Sequence, residues 1–198
     1  YAMIPTALRK KRVKQTYPQA VMTRKEMEAE LSRIAGEIVE DHPELERLVL
    51  IGIRRRGVPL TQRLQKKIKR LSKKQLSLGI LDITFYRDDL SLVDTQPVVE
   101  GSHLDFKVND QDVLLIDDVL YTGRTTRAAL DSVLDYGRPR RIELAVLVDR
   151  GGRELPIQAD YVGRYVETEE GEVVEVQVSS IDGEDGAILT TRKLLEKG

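Results

Sequence analysis

Val113-Leu114-Leu115-Ile116-Asp117-Asp118-Val119-Leu120-Tyr121-Thr122-Gly123-Arg124-Thr125 places an apolar run, two adjacent acids and a small-residue loop in immediate succession. Four apolar residues in a row suit a strand buried on both faces of a parallel sheet. The pattern after the loop predicts a helix from about 125 to 136, ended by Gly137. Backbone amides of Tyr121 to Thr125 can curl around a phosphate at that helix N-terminus, where the helix dipole favours negative charge. The hydroxyls of Thr122 and Thr125 add donors, and Gly123 lets the backbone approach closely. Asp117 and Asp118 can accept hydrogen bonds from a pair of ribose hydroxyls.

Working outward, strands and helices alternate. Thr23-Arg24-Lys25-Glu26 has the form of a capping box, and Met27, Leu31, Ile34, Ile38 and Val39 recur at helical spacing. A helix is therefore predicted over 24–41, stopped by Pro43. Residues 48–53 read as a buried strand that ends in Arg54-Arg55-Arg56-Gly57, and 58–71 as the helix that follows. Further strands are predicted over 76–84, 142–148, 159–163 and 173–178, the last near a sheet edge. Residues 86–110 are polar and weakly patterned, as befits a functional loop. Residues 1–22 read as a poorly ordered basic arm, 23–181 as one domain and 182–198 as a tail. Alternating strands and helices argue for an open, mostly parallel α/β sheet, with ligands beyond the carboxyl ends of its strands.

Composition removes whole classes of chemistry. The chain of 198 residues has no cysteine and two histidines, His42 and His103. That excludes a thiolate zinc site, a disulfide framework and a histidine-rich metal centre. No apolar run approaches the roughly 18 residues of a membrane span, and a cytoplasmic protein is expected. The net charge of −1 gives no overall push toward nucleic acid. Arg9, Lys10, Lys11, Arg12 and Lys14 form a basic run that reads as a solvated face or as an arm for nucleic acid.

The 113–125 segment resembles the binding motif for phosphoribosyl pyrophosphate (PRPP) of type I phosphoribosyltransferases. Three further segments narrow the likeness: Asp82-Ile83-Thr84-Phe85-Tyr86-Arg87-Asp88-Asp89-Leu90, Leu147-Val148-Asp149-Arg150-Gly151 and Arg153-Glu154-Leu155-Pro156-Ile157. With Leu120-Tyr121-Thr122-Gly123-Arg124-Thr125 they look like the pyrimidine operon regulator family, PyrR. The resemblance implies a type I phosphoribosyltransferase fold, with a mostly parallel central sheet flanked by helices and a small hood near 147–180. It implies transfer of a phosphoribosyl group from PRPP to uracil, giving UMP, with Mg²⁺ bound through PRPP and no dedicated metal residues.

Each site residue then receives an implied role. Asp117 and Asp118 hold the ribose hydroxyls, Val119 and Leu120 lead into the loop, and Tyr121, Thr122, Gly123, Arg124 and Thr125 hold the 5′-phosphate. Arg55, Arg56 and Gly57 form the pyrophosphate turn, where the family often carries Thr-Arg-Gly. Arg87 covers the pyrophosphate when the long loop closes. Val148, Arg150 and Val174 line the base. A second implied activity is binding of a pyrimidine-operon leader RNA, favoured by UMP or UTP, through Ser32, Arg33, Arg153 and Arg164. Against this, Ala29, Gly36, Asp41, Gly152 and Gln158 stand where relatives carry basic or histidine residues. The family also implies a homodimer or higher assembly. Transfer to another base stays open, because backbone atoms do part of the recognition.

Overall fold

The structure is a computed structural model that describes residues 16–83 and 102–195. Arg87 and the basic run at 9–14 lie outside the described residues. The first helix, α1 (Arg24–Asp41), follows strand β1 (Gln19–Thr23) directly. Its capping box is complete: the Thr23 amide donates to Glu26 Oε2 at 2.8 Å, and the Glu26 amide donates to Thr23 Oγ1 at 3.3 Å. A single 3₁₀ turn (Leu45–Arg47) then leads into β2 (Leu48–Ile53) and α2 (Gly57–Ser72). The chain continues through β3 (Ser77–Leu81), β4 (Asp112–Leu120), α3 (Arg124–Asp135), β5 (Arg141–Asp149) and β6 (Tyr161–Tyr165). Among the described residues no helix is long and apolar enough to cross a membrane.

Strands β2 to β6 form one sheet in the order β3-β2-β4-β5-β6, and every pairing is parallel. Side chains alternate across a strand, so a continuous apolar run feeds two cores at once. Leu114 and Ile116 of β4 join Leu50 of β2 in the core under α1 and α2. Val113 and Leu115 join Ile51 and the inner face of α3 on the other side. Burial of both faces is the reason these strands carry no polar alternation.

A second, smaller sheet caps the first core. It contains β7 (Glu172–Gln177), β8 (Gly186–Thr191) and β1, in the antiparallel order β1-β8-β7. A short helix α4 (Ser179–Asp182) connects β7 to β8, and α5 (Arg192–Leu195) follows. Two expected boundaries change here. The arm predicted over 1–22 runs too far, because Gln19 to Met22 are already strand. The tail predicted over 182–198 contains β8, which is the middle strand of this sheet. The hood is thus drawn from both ends of the sequence and not from 147–180 alone. The physical reason is that β1 and β8 are five and six residues long and lie more than 160 positions apart. A local pattern carries no record of such a pairing.

Candidate active site

The carboxyl ends of β2 and β4 open onto a cleft of about 220 Å³ lined by Arg54, Arg55, Arg56, Ile83, Asp117, Asp118, Val119 and Thr125. Both acids lie on β4, which runs four residues beyond the predicted end at Ile116. Asp117 is buried, and its Oδ1 accepts from the Asp118 amide at 2.9 Å. Asp118 Oδ1 accepts in turn from the Val119 amide at 3.0 Å. Each carboxylate is therefore oriented by the next peptide group, and Asp118 keeps its second oxygen for the cleft it lines. The Leu120 side chain is buried in the core on the α3 side, and its carbonyl accepts from the Arg150 amide at 3.0 Å.

The loop after β4 has the form of an anion cradle. Among the described residues, the amides of Tyr121, Thr122 and Gly123 donate to no backbone or side-chain acceptor. Gly123 sits at φ +91°, a left-handed conformation that side chains rarely adopt, and immediately precedes α3. Carbonyls and side chains of the loop are tied down on the far side. The Thr122 carbonyl accepts from the amides of Glu154 at 3.0 Å and Leu155 at 3.2 Å, and Arg124 Nε donates to Glu154 Oε2 at 2.7 Å. A loop pinned through its carbonyls presents its N–H groups to a ligand without having to reorganise.

The Arg54-Arg55-Arg56 turn faces this loop across the cleft. Arg54 pairs with Asp82 at 3.1 Å. Arg55 is exposed and forms no hydrogen bond or ion pair among the described residues. Arg56 is held by two carboxylates of the second sheet and its connection, Asp182 at 2.9 Å and Glu175 at 3.3 Å. The Asp182 hydrogen bond raises the arginine above its ordinary pKa, and Arg56 in turn lowers that of Asp182. Gly57 serves the packing of this turn: a Cβ there would lie 2.4 Å from the carbonyl oxygen of Ile116. The absence of a side chain lets α2 start directly against the strand that bears the acids.

The expected base-side residues divide. Val148 and Val174 are buried in the same core cluster, so neither side chain faces an open cavity. Arg150 is buried too, which lowers its pKa. Its guanidinium lies 4.0 Å from the centroid of the Tyr121 ring and donates to the Glu172 carbonyl at 2.6 Å and to Thr168 Oγ1 at 3.1 Å. It joins the segment before β7 to the loop after β4 and borders a cavity of about 600 Å³ that also touches Asp149, Arg153, Tyr165 and Glu167. This is the size of small-molecule sites, at the carboxyl ends of β5 and β6.

The residues expected to contact RNA are engaged within the chain. Arg33 pairs with Glu30 at 2.9 Å and Glu37 at 2.6 Å and donates to the Val162 carbonyl at 2.6 Å. Arg164 reaches the Val21 carbonyl at 2.5 Å and Glu26 at 3.2 Å. Ser32 donates to the Glu28 carbonyl at 2.8 Å and accepts from Lys67 at 2.9 Å. Arg153 pairs with Asp149 and donates to the Tyr121 carbonyl at 2.8 Å, so it supports the loop after β4.

Sequence reasoning missed Arg54, Asp149, Asp182 and Glu175. The first two stand inside stretches already quoted and were within reach. Asp182 and Glu175 had no local signal, because only the fold of the second sheet brings them to Arg56.

Comparison with known proteins agrees with this geometry. Residues 19–180 match the phosphoribosyl transferase domain family. The hypoxanthine phosphoribosyltransferase of Trypanosoma cruzi, a point mutant in a ternary substrates complex, superposes with a TM-score of 0.70 at 19% identity, covering 91% of this chain and 97% of that one. A hypoxanthine phosphoribosyltransferase from Staphylococcus aureus gives 0.65 at 20%, covering 89% and 94%. At such identities these two establish the fold. Closer relatives carry the name Bifunctional protein PyrR. That of Clostridioides difficile is 52% identical over 169 residues, covering 85% of this chain and 96% of its own length. That of Thermus thermophilus is 51% identical over 173 residues, covering 87% and 96%. With its parallel sheet, its paired acids and its cradle at the head of α3, this chain belongs to the phosphoribosyltransferases and, among them, to the PyrR family.

Proposed function

We propose that the chain transfers the phosphoribosyl group of PRPP to uracil, giving UMP and pyrophosphate. The observation that carries this is the meeting at one cleft of three parts: the Asp117-Asp118 pair, the two ends of the following loop at Val119 and Thr125, and the Arg55-Arg56 turn; the undonated amides of residues 121–123 lie between those two ends. Each part fits one piece of PRPP. The amides suit the 5′-phosphate, the acids suit the ribose hydroxyls, and the arginines suit the pyrophosphate, which a guanidinium binds in a forked manner. In the reaction a bond forms between uracil N1 and the anomeric carbon, the bond from that carbon to pyrophosphate breaks, and the N1 proton is released. Positive charge builds on the sugar as negative charge builds on the leaving group. Carboxylates at the ribose and arginines at the pyrophosphate would stabilise the two opposite charges.

Mg²⁺ suits this donor set. Among the described residues no group of three or more His, Cys, Asp or Glu side chains is positioned to hold an ion. A site with two adjacent carboxylates beside phosphate-binding groups fits an ion that arrives largely on substrate oxygens. Asp117 and Asp118 would hold it, and when bound it neutralises charge on the leaving pyrophosphate.

A second reading concerns regulation: binding of a pyrimidine-operon leader RNA in response to UMP or UTP. The supporting observation is that Arg153, one of the RNA candidates, donates directly to the phosphate loop at Tyr121, so occupancy of that loop bears on its position. One experiment addresses both readings and the choice of base. UMP formation is followed with uracil, PRPP and Mg²⁺, beside filter binding of leader RNA with and without UMP, and sedimentation reports the assembly state. Turnover with uracil and stabilisation by UMP over GMP are expected. Failure to form UMP removes the enzymatic reading, and stabilisation by GMP instead points to another base. RNA retention that UMP does not alter removes the regulatory one.

A further inference from the structure

The arginines of the cleft are held in different ways. Arg54 has a carboxylate from the neighbouring chain segment, and Arg55 forms no hydrogen bond or ion pair among the described residues. Arg56 is gripped by the second sheet. Its Nε donates to Asp182 Oδ2 at 3.1 Å and its Nη2 to Asp182 Oδ1 at 2.9 Å, a forked pair in which both carboxylate oxygens are engaged. Glu175 Oε1 accepts from the same Nη2 at 3.3 Å. Asp182 is itself immobilised, because its Oδ2 accepts from the Val178 amide at 2.8 Å.

The same connection is fastened to α2 at a second point. Asp185 Oδ1 accepts from the Ser179 amide at 2.8 Å and from Arg63 Nη2 at 2.6 Å. Arg56 and Arg63 are seven residues apart, about two helical turns, and so share a face. The two fastenings share a plan, an aspartate that takes one backbone amide and an arginine of α2 or its start, and Asp185 also pairs with Arg24 at 3.6 Å. The difference that matters here is that only Arg56 lines the cleft.

We infer that Asp182, with Glu175 behind it, is a positioning residue that holds Arg56 ready for the pyrophosphate of PRPP. This rests on the reading of the cleft given above. A free arginine must surrender its rotamer freedom when it binds an anion, and one held in advance has surrendered it on folding. The forked pair engages Nε and Nη2. Nη1 has no partner among the described residues and remains to meet an anion in the cleft. The charge that Asp182 offsets on Arg56 is supplied by Arg55 next to it.

The two fastenings give the test its control. Pyrophosphate with Mg²⁺ is titrated calorimetrically into the full chain and into D182N, D182E and D185N, and steady-state kinetics are run on each. For D182N we expect about tenfold weaker pyrophosphate binding, a matching rise in KM for PRPP, and a KM for uracil within about twofold of the parent. D182E, which keeps a carboxylate on the fork, recovers part of the loss. D185N loosens the same connection and lowers the melting temperature, yet keeps pyrophosphate affinity within about twofold. Equal loss of affinity in D182N and D185N overturns the proposal, since the effect would then be that of a loosened hood. Tighter binding in D182N also overturns it, by making the carboxylate a competitor of the ligand. A parent chain that fails to bind pyrophosphate overturns it outright. Binding that follows the expected order without UMP formation upholds the positioning role and removes the proposed reaction instead.

Discussion

Asp118 and Arg150 show how differently two polar residues of one site are used. Asp118 has one oxygen committed to the Val119 amide and lines a cleft walled by arginines. Replacement by Asn keeps an acceptor for that amide and removes only the charge. Asp118→Asn is therefore expected to lower kcat for UMP formation by about 100-fold or more, with a melting temperature within about 2 °C of the parent; steady-state kinetics beside a thermal melt check this. Arg150 is tied into the protein through Nε and Nη2. Arg150→Met leaves the Glu172 carbonyl without its donor and removes the cation from the Tyr121 ring. A loss of about 2–3 kcal/mol in denaturant unfolding is expected, with weaker PRPP binding because the loop loses a support. At this scale the sequence was most informative where chemistry is local. The acids and the cradle follow each other along the chain, so their order alone announces them. Arg150 was visible as a residue but not as a clamp, because its partners come from 18 and 22 positions further on.

Among the elements, α2 and its approach to β4 set the geometry of the cleft. The contact at Gly57 leaves no room for a methyl group, since the obstructing atom is a backbone carbonyl that cannot swing aside. Gly57→Ala is expected to cost about 1–3 kcal/mol and to raise KM for PRPP by displacing the turn that carries Arg55 and Arg56. Urea unfolding and initial-rate kinetics measure the two effects. The parallel sheet was legible because each of its central strands is an apolar run bounded by a helix with its own periodicity; α1 and β2 fall on the predicted residues. Where a strand continues through polar residues, as β4 does through Asp117 and Asp118, the apolar pattern stops before the hydrogen bonding does. The second sheet was only half legible for a related reason. Val173 to Val178 alternates and reads as a strand, whereas its neighbour β8 shows an apolar triplet followed by two threonines and needed its partners to be recognised.

For the molecule as a whole, paired carboxylates at both ends of the sheet govern behaviour in acid. Asp112 at the amino end has its pKa lowered by the hydrogen bond from Arg140, and Asp182 near the carboxyl end by that from Arg56. Both lie below the ordinary value of 3.8 in the folded chain. A depressed carboxylate stabilises the fold fully above its unfolded pKa and loses that contribution as pH falls through the folded one. Stability should therefore change little through these groups from neutrality to about pH 5, and fall below about pH 4. Urea midpoints measured from pH 6 to pH 2 test this, and Arg140→Gln should move the acid transition to higher pH. Loosening β8 acts at every pH. Leu189→Ala empties a buried position where β8 meets the main core, and about 2–4 kcal/mol should be lost in the same assay. The place of β8 between β1 and β7 also fixes an order of events in the cell. A chain made from its amino end produces β1 early and must complete residues 186–191 before β1 meets β8, its neighbour among the described residues. At about 5–20 residues per second, that interval is on the order of ten seconds. Asp182 is made before β8, but the connection that carries it is tied down on one side only until β8 pairs with β1 and β7, so a newborn chain fixes Arg56 in its final place only once β8 is complete.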